Sequence, residues 1–181
     1  NNMEKKVKKV VLPFSKLTKA EKRVAIAKDV LAQVKIQTIF PVQGNYIEID
    51  EIKGNFDSDV QVNSLIKDKK ISCNCCMKGS LFMAHVNKTN HLTLDDLDSH
   101  GHSNNESMYE RLDKIFTQEQ LDLMECAFEG DLISDSTGKL SSKEDLINKA
   151  YDNFFIQYND ETERLIAICK NLIKNKGTFI P

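Results

Sequence analysis

Apolar residues recur at alternating spacings of three and four from Leu17 through Ala20, Val24, Ala27, Leu31 and Val34, which is one buried stripe on a helix. Thr18-x-x-Glu21 heads that stripe as a capping box, in which a hydroxyl and a carboxylate satisfy backbone N–H groups that a first helical turn leaves unpaired. The pattern predicts a helix from Thr18 to about Lys35. Pro41 and Gly44 then interrupt the chain, and Tyr46, Ile47, Glu48, Ile49 and Ile52 read as a short strand, with Val10-Val11-Leu12 as its candidate partner. Ser58-x-x-Gln61 is a candidate cap for a short helix carrying Val62, Leu65 and Ile66. The next run predicts a helix from Cys73 to about Val86 that is apolar on nearly every side, hence central and buried. Gly79 lies inside it at a cost of about 1 kcal/mol relative to alanine, which the close approach of another helix would offset.

Residues 87–104 are polar, hold three of the four histidines, and read as a connection. Three helices are predicted beyond it: Glu106 to Ile115, Gln118 to Glu129 behind the capping box Thr117-x-x-Gln120, and Lys143 to about Tyr158 behind Ser141-x-x-Glu144. A last helix starts at Asp160-x-x-Glu163, buries Leu165, Ile168, Cys169 and Leu172, and stops at Gly177. The ending Thr178-Phe179-Ile180-Pro181 holds two apolar residues and is expected to dock on the body. The fold class expected is therefore mainly α: a single-domain helical bundle over residues 17–181 around a central Cys/Gly-containing helix, with at most a small β element, preceded by a basic arm over residues 1–16.

A chain of 181 residues suits one domain, which at this size buries roughly 70% of its unfolded surface. No apolar run approaches the roughly 18 residues of a membrane span, and no signal segment opens the chain, so a cytoplasmic protein without membrane contact is expected. Met3 is the expected natural start, after Asn1 and Asn2. Charge changes the picture more than composition does. The net value is −2, yet residues 1–40 carry ten Lys/Arg against Glu4, Glu21 and Asp29, while the remainder is acidic. Lys5, Lys6, Lys8, Lys9, Lys19, Lys22, Arg23 and Lys28 are accordingly the candidate contacts to a protein partner or to nucleic acid. No aromatic cluster accompanies them, so any grip on nucleic acid would be electrostatic.

Five cysteines, two of them adjacent, do not suit a secreted disulfide framework, so reduced thiols are expected. Cys73, Cys75 and Cys76 at a helix mouth, with His85, His91, His100 or His102, are the one candidate zinc set, but a second closely spaced ligand pair is missing. A helix N-terminus would activate Cys73 or Cys75 as a nucleophile, but His85, on the same helix, stands too far along it to serve. Asp131 to Glu144 imitates a calcium loop, but Ile133 falls where the first oxygen ligand belongs. Asp95, Asp96 and Asp98 read as a solvated acidic loop. No catalytic residue, no metal and no cofactor are expected.

Several segments are familiar as an ordered set: Ala25-x-Ala27-Lys28-Asp29-Val30-Leu31, Gly44-Asn45-Tyr46, Cys75-Cys76-x-x-Gly79-x-Leu81-Phe82, Phe116-x-x-x-Gln120-Leu121-x-Leu123-Met124-Glu125-x-Ala127-Phe128-Glu129, and Asn175-x-Gly177-Thr178-Phe179-x-Pro181. The set resembles a family of small uncharacterised accessory proteins of tailed phages and prophages. That resemblance implies a context, the cytoplasm of a bacterial host, and a non-catalytic role: binding a host protein or ribonucleoprotein complex, with inhibition of a defence system such as a CRISPR nuclease as one form of it. A direct nucleic-acid-binding regulator and a zinc- or thiol-dependent enzyme are the alternatives.

Overall fold

The computed structural model describes residues 11–98, 110–131 and 144–181. Its helices are α1 (Lys19–Lys35), α2 (Val62–Lys67), α3 (Met77–Thr89), α4 (Leu94–Asp98), α5 (Gln118–Glu129), α6 (Glu144–Ala150) and α7 (Glu161–Lys174), with a further helical stretch over 110–113 and a π-helical continuation of α6 at Tyr151–Ile156. Its strands are β1 (Ile39–Pro41), β2 (Ile47–Ile52) and β3 (Ile71–Cys75). A mainly α fold with a small β element is what the periodicity predicted. Both halves of the capping box at Thr18 form, with Glu21 N–H on the Thr18 hydroxyl and Thr18 N–H on the Glu21 carboxylate.

The central cysteine segment corrects the expectation. Cys73 and Cys75 belong to β3 rather than to a helix, and Cys76 is the N-cap of α3, its Sγ accepting Gly79 N–H at 3.5 Å. β3 is the middle strand of a three-stranded sheet, parallel to β1 and antiparallel to β2, with Ile39 and Ile49 opposite Cys73 on its two sides. The partner of β2 is thus β3, not Val10-Val11-Leu12; Val10 lies outside the described residues, and Val11 is 91% exposed. Ile71, Cys73 and Cys75 alternate onto the core face of the sheet, as a strand's period of two requires. α2 is capped at Gln61, with no role there for Ser58.

α3 is buried on nearly all sides, from Met77 to Val86, and α1, α2 and α5 pack around it. Gly79 permits a close approach, but the neighbour is the turn before β2 rather than a helix: a Cβ there would stand 1.6 Å from the Tyr46 carbonyl oxygen. Asp29 is drawn inside from the basic helix, where it accepts from Gln33 and Asn87 and pairs with Lys88 at 3.5 Å, joining α1 to the end of α3. Arg164, 3% exposed, ties the start of α7 to the end of α5 by donating to the Phe128 carbonyl, and its guanidinium lies 4.4 Å from the Phe155 ring centre.

Thr117 caps α5 through Gln120 N–H, but the Gln120 side chain does not close the box. Its carboxamide reaches the tail instead, donating to Phe179 O at 3.0 Å and accepting Phe179 N–H at 2.5 Å. Asn171 holds Ile180 by the same double contact, at 2.7 and 2.9 Å. The ending docks as expected, with Phe179 2% exposed and Ile180 left half-exposed. The predicted start near Glu106 and the cap at Ser141 lie outside the described residues.

Candidate functional site

Lys19, Lys22 and Arg23 project from one side of α1, whereas Lys28, at about 100° per residue, stands roughly opposite Lys19 and is separated from them. Lys5, Lys6, Lys8 and Lys9 lie outside the described residues. Arg23 is spent in part on the fold: its Nε donates to Gly177 O at 2.6 Å and its Nη1 to Ile115 O at 2.8 Å, fastening the C-terminal turn and the approach to α5 onto α1. Lys19, Lys22 and Lys28 make no ion pair among the described residues.

Lys22 is where the basic helix meets the rest of the molecule. Its Nζ lies 5.6 Å from the centre of the Phe14 ring, and Phe14 meets the His85 imidazole edge-on at 6.0 Å. From the other side, Arg111 lies over the Phe82 ring, one turn before His85 on α3, and donates Nη2 to His91 O at 3.0 Å. Burial, and then the positive charges of Arg111, Lys22 and Lys114, push the His85 imidazole down to about 4, so it is neutral at physiological pH; its Nδ1 is buried with no hydrogen-bond partner among the described residues. Lys22 thus approaches His85 through Phe14 and Arg111 through Phe82, from two segments far apart in sequence, and the exposed Lys114 follows Arg111 by three residues. Among the described residues Asp96 is the carboxylate that acts on Arg111, and Asp113 lies with Lys19 and Arg23 around an adjoining hollow of about 270 Å³. Arg111 and Lys114 were not among the sequence candidates, since no spacing connects them to α1.

The cysteines assemble no comparable centre. All five are buried and free. Burial, with Asp50 adding to it, pushes the Cys73 thiol up to about 12; burial also raises Cys75 well above its ordinary value, and Cys169 to about 12. Cys76 is raised to about 11 by burial, which outweighs its bond from Gly79 N–H at the helix mouth. Such thiols are protonated and poorly nucleophilic. Among the described residues, no three His, Cys, Asp or Glu side chains stand close enough to share a metal ion. His100 and His102 lie outside them.

A second polar seam surrounds the turn between β1 and β2. Gly44 N–H donates to Glu129 at 3.0 Å, Gln43 N–H to Glu161 at 3.2 Å, and the Gln43 carboxamide to Glu129 O at 3.1 Å, while Lys78 pairs with Glu125 one turn earlier on α5. Burial pushes the Glu129 carboxyl up to about 7, against the Gly44 bond and with help from Glu125, Asp131 and Glu161. These contacts pin the turn onto α5 and α7, so the seam is a clasp of the fold. No helix of the described residues is long and apolar enough to cross a membrane. No protein-family model matches the chain, and neither any curated protein nor any solved structure matches it.

Proposed function

We propose that the protein is a non-catalytic accessory protein of the phage type, which acts in the cytoplasm of a bacterial host by occupying a host protein or nucleoprotein, with a defence complex such as a CRISPR nuclease as the target class. The placing of Lys22 and Arg111 on either side of His85, through the rings of Phe14 and Phe82, with the exposed Lys114 three residues beyond Arg111, carries this reading. A cluster of cations on a chain of net charge −2 is a polarised surface, which attracts and orients an acidic or phosphate-bearing partner during encounter. Lys22 and Lys114 stand in no ion pair among the described residues, so the face has charge to offer. The buried, protonated thiols support binding rather than thiol chemistry as the mode of action.

The test is affinity capture from bacterial lysate, with and without nuclease treatment, using the parent and the Lys22→Glu, Lys114→Glu double variant. The same protein partner should be retained in both treatments and captured in smaller amount by the charge-reversed variant at low ionic strength. A catch that disappears wholly with nuclease, together with submicromolar, sequence-selective binding of naked RNA or DNA at physiological salt, would instead make the protein a direct nucleic-acid-binding regulator.

A further inference from the structure

α7 presents two faces. Leu165, Ile168, Cys169 and Leu172 are buried in the core, whereas Glu163, Ile166, Ala167, Lys170 and Lys174 fall within an arc of about 100° on the opposite side. An amphipathic helix normally gives that outer side to water alone. Here Ile166 and Ala167 place apolar surface in the middle of it, and the chain brings Phe154 and Tyr158 alongside to complete a hollow of about 530 Å³. The wall that carries Phe154 is the π-helical segment Tyr151–Ile156, whose wider turn departs from the α-helical packing of its neighbours; single π turns of this kind are frequent at functional sites. Phe154 is held from behind by Phe179, at 5.1 Å between ring centres, and Phe179 is held in turn by Gln120. The wall is therefore supported by the docked C-terminus. Ala167 forms a shallow floor, because a single methyl group leaves room that any larger residue would fill.

Charge specifies what fits. Lys170 and Lys174 are one turn apart at the carboxyl-terminal end of the groove, both exposed and in no ion pair among the described residues, while Glu163 stands alone at the other end. An apolar strip with a row of cations along one end is complementary to a helix that carries apolar anchors at i, i+3 or i+4 and i+7, with carboxylates beside the last of them. A volume of about 530 Å³ suits two or three such anchors.

We infer that the groove between Phe154, Tyr158 and the outer face of α7 is a second binding surface, which takes an acidic amphipathic helix of a partner protein. Its lining comes from the π-helical segment, Tyr158 and α7 and shares no residue with the cationic face, so either surface can fail without the other.

The probe is a synthetic 18-residue helix of Leu, Ala and Glu, with Leu at i, i+3 and i+7 and Glu flanking the last Leu; its control carries Lys at every Glu position. Fluorescence anisotropy with the full chain should give a dissociation constant below about 100 µM for the acidic helix and about tenfold weaker binding for the basic one. Lys170→Glu with Lys174→Glu should reverse that preference. Ala167→Phe should fill the floor and weaken binding at least about tenfold, with an unchanged melting temperature as the check that the fold survives. Equal binding of the two helices, no binding of either, or indifference to Ala167→Phe would overturn the inference. So would self-association of the parent in sedimentation velocity that Ala167→Phe abolishes, because the occupant would then be a second copy of this chain.

Discussion

Among the described glycines, Gly79 is the one at which an added methyl group would stand nearest to a neighbouring atom. On helix propensity alone, replacing it by alanine would stabilise α3 by about 1 kcal/mol. The structure reverses the sign. A Cβ at this position would stand 1.6 Å from Tyr46 O, 2.6 Å from the Tyr46 carbonyl carbon and 3.2 Å from Ile47 Cγ1. A carbon–oxygen contact needs about 3.3 Å, so helix and turn would have to separate by more than about 1.5 Å. Tyr46 cannot retreat freely. Cys76 N–H donates to Asn45 O at 2.6 Å on one side, Ile47 is paired with Cys75 on the other, and Gly44 is held by Glu129. Breaking two or three of these bonds at about 1 kcal/mol each, with residual overpacking, outweighs the propensity gain and leaves a net loss of about 3 kcal/mol. For a chain of this size that lowers the melting temperature by about 6–12 °C. Thermal and urea unfolding of Gly79→Ala measure it, with Gly44→Ala as the comparison. Gly44 has open space around it and a φ of +80°, so alanine there meets only backbone strain of about 1–2 kcal/mol. A Gly79→Ala protein as stable as its parent would refute the reasoning.

Other perturbations separate the remaining contacts. Glu129 titrates near 7 in the fold, above its ordinary 4.5, so the folded state holds the proton more tightly; that stability is complete below about pH 4.5 and is lost as pH rises through 7. Glu129→Gln should therefore flatten the decline in stability between pH 5 and 8 and gain about 1–2 kcal/mol at pH 8 after solvent screening; urea titrations parallel to the parent's at every pH would disprove this. Gln120→Ala removes both bonds to Phe179 while leaving the Thr117 cap, so the tail should become protease-sensitive at a stability loss of about 1–3 kcal/mol; an equally resistant C-terminus would show that the tail is held without them. Native thiol titration with an aromatic disulfide at pH 8 should label Cys73, Cys75 and Cys169 only at the rate of unfolding, and a fast stoichiometric phase from any of the three would contradict the burial of those thiols.

The helices were legible where a cap and a stripe coincide. α1 and α5 start where Thr18 and Thr117 announce them, and α7 where Asp160 does. The segment from Ile71 to Val86 was not: Ile71, Cys73 and Cys75 alternate with Ser72 and Asn74 at a strand's period of two, but over only five residues that run straight into the apolar helix, and so short an alternation does not separate strand from helix. The boundary falls at Cys76, a residue seldom met as a helix cap, and only the pairing of Cys73 and Cys75 with strands more than twenty residues earlier reveals it. Gln120 shows the reverse case, a local capping signal overridden by a partner 59 residues away. Half of the candidate face was visible as charge on α1. The other half, Arg111 and Lys114, is attached to it only by the packing around Phe82 and His85, which no local pattern encodes.

The central claim is that the face around Lys22, Arg111 and Lys114 captures a partner by its charge. It is tested most directly by the association rate of the full chain with its captured partner, immobilised and measured over a range of salt. The Lys22→Glu, Lys114→Glu variant should associate about tenfold more slowly than the parent at low ionic strength, with dissociation little changed and the two rates converging as salt screens the charges. Association rates that coincide at every salt concentration would contradict the account.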